Sequence, residues 1–236
     1  MFASLPMYAR AETREDWEAL WTFLRNAMRS EGFETPEGLD QSQEGLNVWL
    51  RDDLVLSQTC GMPYRKKLHG QVTLVGTFDH GLPNCPAGYY NSVIICRRAE
   101  GASPNSRAVI NDPLSQSGYA AFLEYAPDLK DPLISGAHVK SAEMVASGAA
   151  DIASIDAVTW AMIEAFDGFA SSLDVIHRTE PRPALPLITR VYAERSDDLF
   201  AAIVAGLNDA PSSLTERLMI KGLVKISAED YLSVKP

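Results

Sequence analysis

The chain has 236 residues, 46% of them hydrophobic, with 21 Lys and Arg against 31 Asp and Glu for a formal net charge of −10. That balance argues against a nucleic acid or a membrane surface as partner, because the one dense cationic run, Arg65-Lys66-Lys67, reads as solvated surface. A small anion is compatible with it, since local N–H and O–H dipoles bind anions inside acidic proteins.

The length suffices for a sizeable core or for two lobes. Cys60, Cys85 and Cys96 are odd in number and lack C-x-x-C spacing, so neither a disulfide framework nor a metal pair is expected. No cofactor motif is present. Met1 to Met7 reads as a first strand rather than a signal segment, which places the chain as written in the cytoplasm, or in the periplasm if an export segment was removed.

Taken in order, Thr13-Arg14-Glu15-Asp16 reads as a capping-box-like start. It opens a helix with Trp17, Leu20, Trp21, Leu24 and Met28 on one face and Gly32 as the stop. Residues 53–60 and 72–78 read as buried strands, the first ending in a turn at Cys60-Gly61. The breaker-rich stretch Gly81 to Gly88 marks a crossing point, followed by a strand from Tyr89 to Cys96.

Strand, loop and helix then alternate three times. The strands are 107–111, 132–137 and 151–155, and the helices start at Ser117, Val139 and Asp156, which predicts an α/β lobe with a largely parallel sheet. A second breaker cluster, 180–186, precedes a strand at 187–190 and helices around 199–207 and 214–220. Two breaker clusters so spaced predict one lobe inserted into another: 1–84 with 188–236, and 85–187, joined by two crossing strands around a hinged cleft.

Within the inserted lobe, Val109 to Tyr119 runs from an apolar strand through a hydroxyl-rich turn into a helix start. Backbone N–H groups and the positive end of the helix dipole would meet the hydroxyls of Ser115 and Ser117 there. The same serines could simply cap the helix. His138 could be a ligand or a structural histidine, and Asp156 could face a ligand or cap the helix running to Trp160.

Six segments, in this order and spacing, resemble the phosphonate-binding (PhnD-like) substrate-binding proteins of ABC transporters. They are Ala3 to Tyr8, Gln58 to Gly61, Gly88 to Val93, Asn111 to Gly118, Gly136 to His138, and Gly148 to Asp156. The resemblance implies a type II periplasmic-binding-protein fold, two α/β lobes closing over a small phosphonate-like or phosphate-like anion. It also implies binding without turnover, a transporter permease as partner, and a monomer.

Carried over by position, the resemblance puts ligand oxygens on Ser115, Gln116, Ser117 and Gly118, with Tyr90, His138 and Asp156 around them. Tyr8, Cys60 and Gly61, which follow first-lobe strands, are expected on the facing wall. The family commonly has Ser-Thr-Ser in the turn, so Gln116 replaces a hydroxyl by a carboxamide. The competing expectations are a cytoplasmic ligand sensor and an enzyme. Ser117, His138 and Asp156 have the residue types of a nucleophilic triad, although no Gly-x-Ser-x-Gly elbow is present.

Overall fold

A computed structural model describes residues 1–42 and 45–234. In chain order, β1 (Phe2–Ser4) is followed by α1 (Arg14–Ser30), α2 (Leu46–Trp49), β2 (Leu54–Gln58), α3 (Gly61–Pro63) and β3 (Thr73–Asp79). Next come β4 (Tyr89–Tyr90), β5 (Ser92–Arg97), β6 (Ala108–Ile110), a π-helical turn over Gln116–Ala120 and α4 (Ala121–Tyr125). β7 (Leu133–Ile134), α5 (His138–Ala146), β8 (Ile152–Asp156), α6 (Ala157–Phe166), β9 (Leu173–Arg178) and β10 (Arg182–Pro183) follow. The chain closes with β11 (Pro186–Thr189), α7 (Ser196–Asp209), α8 (Ser212–Arg217), β12 (Gly222–Val224) and α9 (Ala228–Ser233).

Two compact units result. The first is Met1–Gly81 with Pro183–Ser233, and the second is Leu82–Arg182, to which Val234 also belongs.

The first unit is built on a five-stranded sheet of order β1-β2-β11-β3-β12. β1 runs parallel to β2, whereas β11 is antiparallel to both β2 and β3, so β1, β2 and β3 all end at the same edge of the sheet. The apolar stripe of α1 does what its 3.6-residue spacing requires: Trp17, Leu20, Trp21, Leu24 and Met28 are all buried. α1 packs on α7 with almost no space between backbones, since a Cβ on Gly206 would lie 2.8 Å from Leu24 Cα. Near the end of the chain, the Tyr231 hydroxyl bonds Thr77 Oγ1 at 2.6 Å and the Ala184 carbonyl at 2.8 Å, which ties α9 to β3.

The helix start departs from the capping box expected at Thr13–Asp16. Thr13 Oγ1 turns back to accept the Arg10 N–H at 3.2 Å, and Asp16 accepts from Arg217 at 2.8 Å, because a 3-10 turn at Ala11–Thr13 precedes the helix. Neither side chain is therefore available to the first helical turn. Cys60, Cys85 and Cys96 are free thiols.

The second unit carries a five-stranded sheet of order β7-β6-β8-β5-β9. β6 is parallel to β7 and to β8, but β5 is antiparallel to both β8 and β9. The sheet is mixed rather than largely parallel as expected. The cause is the β5–β6 connection, residues 98–107, which contains no helix and returns at the edge it left, so the two strands run in opposite directions. One face of the sheet packs under α5 and α6 through Val93, Ile95, Ala153 and Ile155, and the other under α4 through Ile94, Ala108, Ile110 and Ile152.

Among the described residues, no helix is long and apolar enough to cross a membrane. The tight helix crossing yields a prediction. Gly206→Ala forces a methyl against the Leu24 backbone and is expected to destabilise the protein by about 1–3 kcal/mol, read as a lower urea midpoint at unchanged slope.

Candidate functional site

β7, β6 and β8 share one direction, so the segments that follow them gather at one end of the second unit's sheet. That end holds Asn111 to Gly118 after β6, Ser135 to His138 after β7, and Asp156 as the last residue of β8. β5 runs the opposite way and brings its start, Tyr90 to Ser92, to the same end, where Ser92 pairs with Asp156. This is where open α/β sheets collect ligands.

The turn is held from several sides. Ser115 Oγ accepts the Gly118 N–H at 2.9 Å, and the Ser115 carbonyl accepts from Tyr119 and Ala120 at 3.2 and 3.1 Å. Ser115 is thus the N-cap of the π turn, as the capping alternative expected. Ser117 does something else. Its Oγ lies 2.8 Å from His138 Nε2, while its carbonyl accepts the Ser154 hydroxyl at 2.6 Å.

Gly118 is a glycine for steric reasons, since a Cβ there would fall 1.7 Å from Asn111 Oδ1 and 3.1 Å from His138 Cε1. Ser115, Gln116, Ser117, Tyr90 and Asp156 are all buried, at 5%, 2%, 3%, 2% and 2% exposure.

Cations are absent from the segments around β6, β7 and β8 at this end, although Arg178, the last residue of β9, pairs with Val93 of β5 there. No Lys or Arg occurs in 108–129, 131–139 or 150–158. His138 does not supply the missing cation: its pKa is pushed down to about 4 by desolvation, against a weaker opposing hydrogen bond with the Ser154 backbone. The residue is partly exposed, yet Nδ1 is shut off from solvent. Near neutral pH the ring is therefore a neutral partner of Ser117.

Asp156 caps α6, its Oδ1 accepting the N–H groups of Val158 and Thr159 at 2.8 and 3.0 Å. Its Oδ1 is thereby committed to the α6 cap, while Ser117 and His138 form a dyad of their own. Among the described residues, no group of three or more His, Cys, Asp or Glu is placed to hold a metal ion.

Tyr8, Cys60 and Gly61 lie in the first unit, beyond the ends of β1 and β2. Tyr8 is buried and meets His80 edge-on, with ring centroids 5.1 Å apart. His80, one residue past β3, donates or accepts at Nδ1 with the Met219 carbonyl at 2.8 Å, and burial pushes its pKa down to about 4.

Sequence reasoning missed His80, Asn111 and Ser154. Ser154 had a readable signal, a hydroxyl inside an otherwise apolar strand. Asn111 had none, because its closeness to Gly118 depends on the turn's path.

The sequence matches no family model and no curated protein. Solved structures do match. PhnD1 from Prochlorococcus marinus (MIT 9301), in complex with methylphosphonate, aligns at a TM-score of 0.73 with 13% identity over 98% of this chain and 94% of its own. A Xanthomonas citri protein bound to ATP aligns at 0.70 with 15% identity over 98% and 92%. The binding-protein component of an ABC phosphonate transporter from Pseudomonas aeruginosa aligns at 0.67 with 16% identity over 98% and 82%.

The chain has the type II periplasmic-binding-protein fold. A histidine kinase sensor domain with similarity to periplasmic binding proteins also aligns with it, at a TM-score of 0.61 and 12% identity over 96% of this chain and 98% of its own.

The buried imidazoles make the protein's stability depend on pH. An unfolded histidine titrates near 6.5, whereas folded His138 and His80 titrate near 4, so between those values the unfolded chain binds protons that the folded chain does not. Stability is thus complete above pH 6.5 and falls as the pH drops towards 4, by up to about 3 kcal/mol for each ring. In urea titrations across this range, His138→Gln is expected to flatten the His138 share of the slope. An unchanged slope would mean that the folded ring is charged.

Proposed function

We propose that the chain is a solute-binding protein that captures a small oxyanion-bearing ligand, of the phosphonate or phosphate-ester kind, on the Ser115 to Gly118 turn. The observation that carries this reading is the gathering of neutral polar groups at a helix start: the buried hydroxyls of Ser115 and Ser117, the buried Gln116 and the backbone of the first turn. An anion leaving water needs such replacements for its hydration, and preorganised dipoles supply them without a counter-charge.

The likeness to a methylphosphonate-bound protein and to a phosphonate transporter component supports the ligand class. On this reading Tyr90, His138 and Asp156 complete the second unit's part of the site. Delivery to an ABC transporter permease, action as a monomer and a periplasmic location belong to the same proposal. Translating the gene upstream of Met1 tests the location.

An enzyme reading draws on the 2.8 Å contact between Ser117 and His138. Against it stands the employment of Asp156 at the α6 cap, where its Oδ1 accepts two backbone N–H groups. Binding of one equivalent without product formation is the expected result.

Thermal unfolding gives the direct test. Phosphate or methylphosphonate at about a hundred times its Kd should raise Tm by about 5 °C or more, and Ser117→Ala should weaken binding at least about tenfold. Flat melting curves and no calorimetric heat across phosphate, methylphosphonate and sulfate would remove the basis of the reading.

A further inference from the structure

The core of the first unit holds polar groups that its own chain does not pair. Gln58, the last residue of β2, is 0% exposed, and among the described residues neither its Oε1 nor its Nε2 has a hydrogen-bond partner. The buried indole nitrogens of Trp17 and Trp21 on α1 have none either, whereas the Trp49 indole donates to the Gln58 carbonyl at 3.1 Å. Buried groups of this kind keep a partner in native proteins, because stranding one costs more than a hydrogen bond returns.

Strand register puts Gln58 and the two indoles in one layer. Leu187 of β11 pairs with Gln58 on one side and with Gly76 of β3 on the other, so these three residues share a face of the sheet. A Cβ on Gly76 would lie 2.9 Å from Phe200 of α7, which identifies that face as the one under the helices. Trp17 of α1 meets Phe78, two residues beyond Gly76, with ring centroids 6.3 Å apart. Gln58 therefore points into the layer between the sheet and α1.

Height along the sheet selects the partner. α1 leads from the end of β1 back to the start of its parallel neighbour β2, so it runs against the direction of β2 and β3. Trp21 is one turn past Trp17, about 6 Å along the helix. Gly76 is about 6.6 Å back along β3 from Phe78. Trp21 is thus level with Gly76 and with Gln58.

We propose that the first unit contains a buried water-binding site between Trp21 and Gln58, in which the water accepts the indole N–H and donates to the carboxamide oxygen. Water fits these groups because it both donates and accepts. A cation would leave the indole unpaired, and an anion would meet the carboxamide oxygen. The acid nearest in sequence on α1, Asp16, is engaged by Arg217 at 2.8 Å. The site is independent of the oxyanion reading, and the water is a fixed part of the packing of α1 on the sheet.

The test is proton NMR on the whole chain, labelled at the tryptophan indoles, reading magnetisation transfer from water to each indole N–H. The Trp21 signal, identified by its loss in Trp21→Phe, should show a cross-peak of the sign that marks a long-lived buried water. Gln58→Met keeps the side chain's length and removes both polar atoms; it should weaken that cross-peak at least about fivefold while leaving the Trp17 signal unchanged. A Trp21 indole without a water cross-peak, or one that Gln58→Met does not alter, would overturn the proposal.

Urea unfolding gives a second reading. Trp21→Phe and Gln58→Met together should fall short of the sum of their separate effects by at least about threefold in the unfolding constant, and strict additivity counts against a shared water. Should Gln58→Met fail to fold, a high-resolution crystal structure of the unsubstituted protein decides. Density for a water within hydrogen-bond reach of both groups supports the site, and a carboxamide bonded directly to an indole overturns it.

Discussion

Ser117 is tethered at both ends, and the arrangement around it depends on those tethers. Its hydroxyl is set against His138 and its carbonyl against Ser154, which fixes the first helical turn to α5 on one side and to β8 on the other. Each bond contributes only about 1 kcal/mol net. What matters is that both partners sit on rigid elements, so the turn's N–H groups are aimed by the sheet rather than by the loop. Asn111 and His138 crowd Gly118 for the same reason: three segments converge where no side chain is left room.

A place built from neutral dipoles behaves differently from one built around a lysine or an arginine. Point cations attract any anion and pay a desolvation cost of their own, whereas fixed N–H and O–H groups reward only the geometry they surround. The overall net charge of −10 does not exclude such a place, since dipoles act over a few ångströms and more distant charges are screened.

Much of this was legible in the chain. The alternation of strand and helix after residue 100, the tryptophan face of α1 and the hydroxyl-rich turn all follow from periodicity and turn chemistry, and the structure has each of them. Strand direction was not legible, because β5 looks like any buried strand and its reversal is set by a connection without a helix. β9 and β12 were missed because their burial is slight: β9 buries only Leu173, and β12 is half-buried throughout. At the site, residue types were readable but pairings were not. That Ser115 caps while Ser117 reaches His138 depends on one residue of helical phase, which composition does not encode.

The division of the chain has a consequence for the order in which the protein is made. The second unit is the continuous stretch 82–182, whereas the first needs 183–233 to complete its sheet and waits for Tyr231 to lock α9 onto β3. During synthesis from the N-terminus, the inserted unit is therefore the first that can close its core. The opening strands stay half-assembled until the chain's final segment arrives. A chain emerged only as far as about residue 190 would hold a finished second unit and a first unit still lacking α7, α8, β12 and α9.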